Sequence, residues 1–186
     1  AGADNATDET LAVNGQAGDD TLTFSGGVIG DGADEVINID LGAGTQDTVI
    51  ANAGNSAVTV DSFAGVENIQ FQGQDTLNID VADNYADAVE ITEVSGGIAT
   101  LNVNMDAGET LNLSNLTFLG WTSGTDVLSV TGSTGAETIT GSSQADTITG
   151  GDGDDEITGG GGNDTFVYQA SGDFAGTTDG DTITNF

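Results

Sequence analysis

Acids that recur every ninth residue among glycines are the side chains of this sequence best suited to chemistry. They lie in four consecutive units: GSTGAETIT at 132–140, GSSQADTIT at 141–149, GGDGDDEIT at 150–158 and GGGGNDTFV at 159–167. Glu137, Asp146, Asp155 and Asp164 take position six of their units, and Ile139, Ile148, Ile157 and Phe166 take position eight. Glycine at positions one, two and four permits the positive φ that turns a backbone tightly and fans its carbonyl oxygens outward; the carboxylate at six joins that fan. A ring of hard oxygens, in a chain with neither His nor Cys, suits Ca²⁺ rather than zinc or copper.

The charge balance strengthens this reading. The 186 residues contain 31 Asp and Glu and no Lys, Arg or His, so no carboxylate can find a cationic side chain. Acids scattered through the rest of the chain are read as solvated, whereas those at position six are read as metal ligands. The same composition removes most catalysis: there is no Ser-His or Cys-His pair, no Schiff-base lysine and no cationic clamp for an oxyanion or phosphate. The adjacent acids Asp19-Asp20 and Asp154-Asp155 are read as solvent and calcium partners rather than a catalytic pair, and the chain is expected not to be an enzyme. Nucleic acid and direct membrane insertion are disfavoured, because nothing can neutralise a phosphate and no apolar run approaches 18 residues. No basic segment followed by an apolar run marks a signal peptide.

The elements that must position these acids are short strands. Positions six to nine of each unit read E-T-I-T, D-T-I-T, D-E-I-T and D-T-F-V, and seven to nine form a short strand whose middle side chain, at eight, points inward and its neighbours outward. One unit is half a coil, and loop, strand, loop, strand gives about eighteen residues per turn. Stacking then sets Ile139 on Ile157 and Ile148 on Phe166 in two inward columns. One apolar side chain per nine ordered residues returns far less than the ordering costs, so bound metal is expected to be a condition of folding.

Residues 132–167 resemble the parallel β-roll of the RTX family, and FVYQASGDF with DGDTITNF at 166–186 resembles the segment that closes such rolls. The resemblance implies ions held between loops two units apart on one edge. One edge would pair loop 132–137 with loop 150–155, using Glu137 and Asp155 with Gly150, Gly151, Asp152 and Gly153. The other would pair loop 141–146 with loop 159–164, using Asp146 and Asp164 with the carbonyls around Gly141, Ser143, Gly159, Gly160 and Gly162. Asp173 and Asp181 would complete sites at the closing end. Two departures weaken the first loops: Glu137 replaces Asp, and Gln144 stands where the pattern has Gly.

The signature returns once near the start, as GQAGDDTLT at 15–23 with Asp20 at position six. ETLAVNGQAGDDTLT from Glu9 aligns without a gap on DVLSVTGSTGAETIT from Asp126, and INIDLGAGTQDTV from Ile37 on LNIDVADNYADAV from Leu77. Between about 25 and 122 apolar residues alternate with polar ones, as in Ile37-Ile39-Leu41, Leu77-Ile79-Val81 and Leu101-Val103-Met105. Proline is absent, so nothing interrupts a ladder. The expected fold is all-β, a right-handed parallel β-roll or β-solenoid with calcium-binding nonapeptide turns; a β-sandwich is the alternative for 25–122. Two regions are expected, a strand-rich solenoid-like region at 1–122 and the calcium roll with its closing segment at 123–186.

Two function classes fit. SFAGVENIQFQG at 62–73, with the Ala-, Thr-, Gly-, Asn- and Asp-rich composition, resembles RTX-containing bacterial surface-layer proteins. That resemblance implies a secreted structural protein, exported by type I secretion, that assembles with copies of itself at the bacterial cell surface when Ca²⁺ binds. The other class is an adhesin or carbohydrate-binding module with a cell-surface polysaccharide as partner. Trp121 is read as a core or end plug rather than a sugar platform.

Overall fold

The computed structural model describes residues 10–25, 36–52, 57–60, 62–73, 75–81, 89–168 and 180–185. Among them the chain forms strands and no helix. In order these are β1 Thr10–Asn14, β2 Thr21–Ser25, β3 Val36–Asp40, β4 Thr48–Asn52, β5 Ala57–Val60, β6 Ser62–Ala64, β7 Asn68–Phe71, β8 Thr76–Val81, β9 Glu90–Glu93, β10 Thr100–Met105, β11 Thr110–Asn112, β12 Thr117–Leu119, β13 Val127–Thr131, β14 Thr138–Thr140, β15 Asp146–Thr149, β16 Glu156–Thr158, β17 Thr165–Phe166 and β18 Thr182–Thr184.

Every strand pair among the described residues is parallel, which excludes the sandwich alternative there and makes the described residues a β-solenoid. The ladders run β1-β3-β6, β2-β4-β7-β9-β12, β5-β8-β10-β13-β15-β17 and β11-β14-β16-β18. The turn β3, β4, β5 visits three ladders, and the turn β6, β7, β8 visits the same three in the same order. From β14 onward the chain alternates between only two, and the ladder ending at β12 is no longer extended. A three-strand coil thus narrows to a two-strand roll.

The rung length changes with it. Thr100 pairs with Val127, twenty-seven positions on, whereas Ser129 pairs with Thr147 and Thr138 with Glu156, eighteen positions on. Nine-residue units leave room for two strands and two tight corners per turn; the longer rungs hold a third strand.

Alternation drives the inward columns. Val60, Ile79, Val103, Val130, Ile148 and Phe166 stand in register along one ladder, and Leu111, Ile139, Ile157 and Ile183 along another. The expected contacts of Ile139 with Ile157 and of Ile148 with Phe166 are therefore present. The first column crosses residue 123 without a break, because β13 bonds to β10 on one side and β15 on the other. Trp121 is half-buried beside β12, with its ring edge-to-face on Phe118 at 5.2 Å and on Phe71 at 6.4 Å. It plugs the coil where the third ladder stops.

Candidate metal centre

The acids occupy the corners just before the inward strands, stacked in columns. Thr138 pairs with Glu156 and Glu156 with Thr182, so Glu137, Asp155 and Asp181 lie one above another. Each carboxylate accepts the backbone N–H of the acid one turn earlier: Glu137 N–H donates to Asp155 Oδ1 at 2.8 Å, and Asp155 N–H to Asp181 Oδ1 at 3.0 Å. At the other roll corner Asp146 N–H donates to Asp164 Oδ1 at 3.1 Å. These bonds hold like charges one rung apart, about 4.8 Å, in a chain without a cation.

Loops pair in the way the resemblance implied. Asp152 N–H donates to the Ser133 carbonyl at 2.9 Å, joining loop 150–155 to loop 132–137, and Gly161 N–H donates to the Ser142 carbonyl at 2.8 Å, joining 159–164 to 141–146. Gly151, Gly153, Gly160 and Gly162 all adopt positive φ, between 100° and 128°. A Cβ at Gly151 or Gly153 would strike the Ser133 or Gly135 carbonyl, so only glycine lets these loops stack. Gly150 and Gly159 are buried, whereas Ser143 and Asp152 face solvent. The Gly160 carbonyl accepts Asn185 Nδ2–H at 2.8 Å. Asp173 lies outside the described residues.

The second carboxylate oxygen separates the four loops. Glu137 Oε2 accepts Ser133 N–H at 3.1 Å and its Oε1 accepts Ser133 Oγ–H at 3.0 Å; Asp146 takes Ser142 N–H at 2.6 Å and Ser142 Oγ–H at 2.9 Å. Serine at position two therefore satisfies these acids from within the protein. Asp155 has Gly151 in that place, and its Oδ2 is buried with no donor. Burial pushes the Asp155 carboxyl up to about 6, with the charges of Glu137 and Asp181 adding to the rise and the bond from Glu137 N–H opposing it. Asp146 is also raised to about 6 by burial, assisted by Asp164 and opposed by the Ser142 bonds.

Sequence reasoning missed that the same corner is built throughout the three-strand region. Asp47, Asp75 and Asp126 are buried at equivalent places, and Glu67 stacks on Asp47 through the bond from Asp47 N–H to Glu67 Oε2 at 2.9 Å. The signal was legible as glycine, any residue, acid, any residue, apolar: Gly65-Val-Glu67-Asn-Ile69, Gly73-Gln-Asp75-Thr-Leu77 and Gly124-Thr-Asp126-Val-Leu128. Asp126 is satisfied internally, by Ala99 N–H at 2.9 Å and Thr122 N–H at 2.6 Å, and serves as a corner clasp.

The family model that matches is the RTX calcium-binding nonapeptide repeat, in four copies, over residues 131–166. The four repeats, set in a parallel β-solenoid, fit a calcium-binding RTX β-roll protein. Comparison with curated proteins and with solved structures yields no match.

Proposed function

We propose that this chain is a calcium-dependent structural element of a secreted protein, and that Ca²⁺ triggers both its folding and its assembly with other copies at the cell surface. The observation that carries the proposal is Asp155: a buried carboxylate with one donorless oxygen, held between Glu137 and Asp181 in a chain with no Lys, Arg or His. Leaving a buried charged acceptor unsatisfied costs more than about 1 to 3 kcal/mol, and a divalent cation removes that cost while cancelling the repulsion between corners. Asp155 and Asp164 with the glycine carbonyls of their loops are the principal ligands in this reading, Glu137, Asp146 and Asp181 the secondary ones.

Assembly rests on charge and on the likeness of 62–73 to surface-layer proteins. Thirty-one negative charges keep copies apart until divalent ions bridge or screen them. In this reading the chain performs no catalysis, and its partners are other copies of itself, anchored through a cell-surface polysaccharide. The experiment titrates Ca²⁺ into chelated protein while circular dichroism, light scattering and electron microscopy are followed together. Gain of β signal followed by ordered particles is expected. Equal β content with and without chelator overturns calcium-driven folding, and folding that stops at monomers overturns assembly.

A further inference from the structure

The acids with an unpartnered buried oxygen, among the described residues, are Asp155, Asp20 and Asp47. The last two lie far outside the matched repeats, on consecutive turns at one corner: Asp20 N–H donates to Asp47 Oδ1 at 2.6 Å. Asp47 is 0 % exposed and its Oδ2 meets no donor. With every Lys, Arg and His missing, no side chain of this protein can discharge it.

The loop that carries Asp20 reproduces the geometry of the roll. Gln16 and Gly18 have positive φ, 75° and 124°, at positions two and four of their unit, as Gly151 with Gly153 and Gly160 with Gly162 do. A non-glycine residue there is strained, which marks the conformation as required rather than incidental. Over Gly15 two oxygens converge, Asp20 Oδ2 and the Leu41 carbonyl, at 2.5 and 2.6 Å from the place a Cβ would take. Gly159 shows the same convergence, with Asp164 Oδ2 and the Asn185 carbonyl, and in both cases the carbonyl belongs to the residue twenty-six positions on. The loops are tied face to face by Ala43 N–H on the Gln16 carbonyl at 2.8 Å and Thr45 N–H on Asp19 Oδ1 at 3.2 Å.

We infer that the corner formed by Gly15–Asp20 and Leu41–Asp47 is a second cation site, in which Asp20, Asp47 and the Leu41 carbonyl hold a hard divalent ion of the kind the roll takes. The choice of Ca²⁺ rests on the reading of the roll; the site itself rests on the buried Asp47 oxygen. No three acids gather about one point among the described residues, so backbone oxygens supply part of the shell. The 42–47 loop, GAGTQD, has glycine at positions one and three and falls outside the repeat pattern.

Calcium-binding stoichiometry on the full chain tests this, by calorimetry with Ca²⁺ alone. Asp47→Asn should lower the number of bound ions by one and leave the remaining ions at wild-type affinity, while Asp155→Asn and Asp164→Asn together should remove roll ions and spare the first site. An unchanged ion count in Asp47→Asn overturns the inference with the roll reading intact; a wild-type chain that binds no Ca²⁺ overturns both. Trace Mn²⁺ exchanged into the Ca²⁺-loaded wild type gives a readout free of any variant's folding. Broadening of the Gln16, Asp20 and Leu41 amides, alongside those of Gly151 and Gly153, is expected, and broadening confined to the roll overturns the site.

Discussion

Serine or glycine at position two decides whether a corner acid is finished by the protein or left for a ligand. Ser133 and Ser142 close the shells of Glu137 and Asp146, while Gly151 leaves Asp155 open. Asp164→Ala is therefore expected to weaken Ca²⁺ binding more than Glu137→Ala, measured by calorimetry on folded protein; the reverse order would show that internal bonds do not compete with the ion. The raised carboxyls set a pH dependence. Asp146 and Asp155, at about 6 when folded against an ordinary value of 3.8, bind more protons folded than unfolded between these limits. Metal-free protein should thus lose stability as pH rises from about 4 to about 6, because the folded state must give up protons it holds more tightly. Calcium-loaded protein should show the opposite trend, since protons and Ca²⁺ compete for the same oxygens. Thermal melts at pH 5 and 7.5, with chelator and with Ca²⁺, separate the two.

At the scale of strand and corner, the tandem units were legible because a strict nine-residue period fixes corner, strand and column together. The three-strand turns were not. Their rungs run from nineteen positions, Ala57 to Thr76, to twenty-eight, Thr110 to Thr138, so no single period exists to find. The internal likenesses marked a different unit from the one expected: Ile37 lies in β3 and Leu77 in β8, on separate ladders, so the shared pattern is that of one strand with its corner and not of a whole turn. Corner glycines differ in what they must do. Gly153→Ala places a methyl against the Gly135 backbone, whereas at Gly124, with φ 83°, a methyl meets nothing within 4 Å. Gly124→Ala should cost about 1 to 2 kcal/mol in a denaturant melt, the left-handed penalty alone, and Gly153→Ala distinctly more. Equal costs would mean that the stacked loops separate freely.

For the whole molecule, the column from Val60 to Phe166 joins the coil and the roll through one continuous ladder, so the two regions share one packed core. Solenoid stability adds rung by rung with a term for each neighbour contact, and a column without a gap transmits it. Charge sets the second whole-molecule expectation. NaCl raised to the ionic strength of an effective CaCl₂ concentration should screen repulsion between copies without restoring β content or particles, read by the same dichroism and scattering. Assembly in NaCl alone would assign the role of the ion to screening.

The ladder that stops at β12, under the Trp121 plug, makes the cross-section a triangle in one stretch and a flattened pair of sheets in the next. Such a body is tapered, and a tapered body carries an arrow along its length. In the proposed assembly, copies standing upright across a layer would either all point one way, giving the layer two unlike faces, or alternate, giving it two alike.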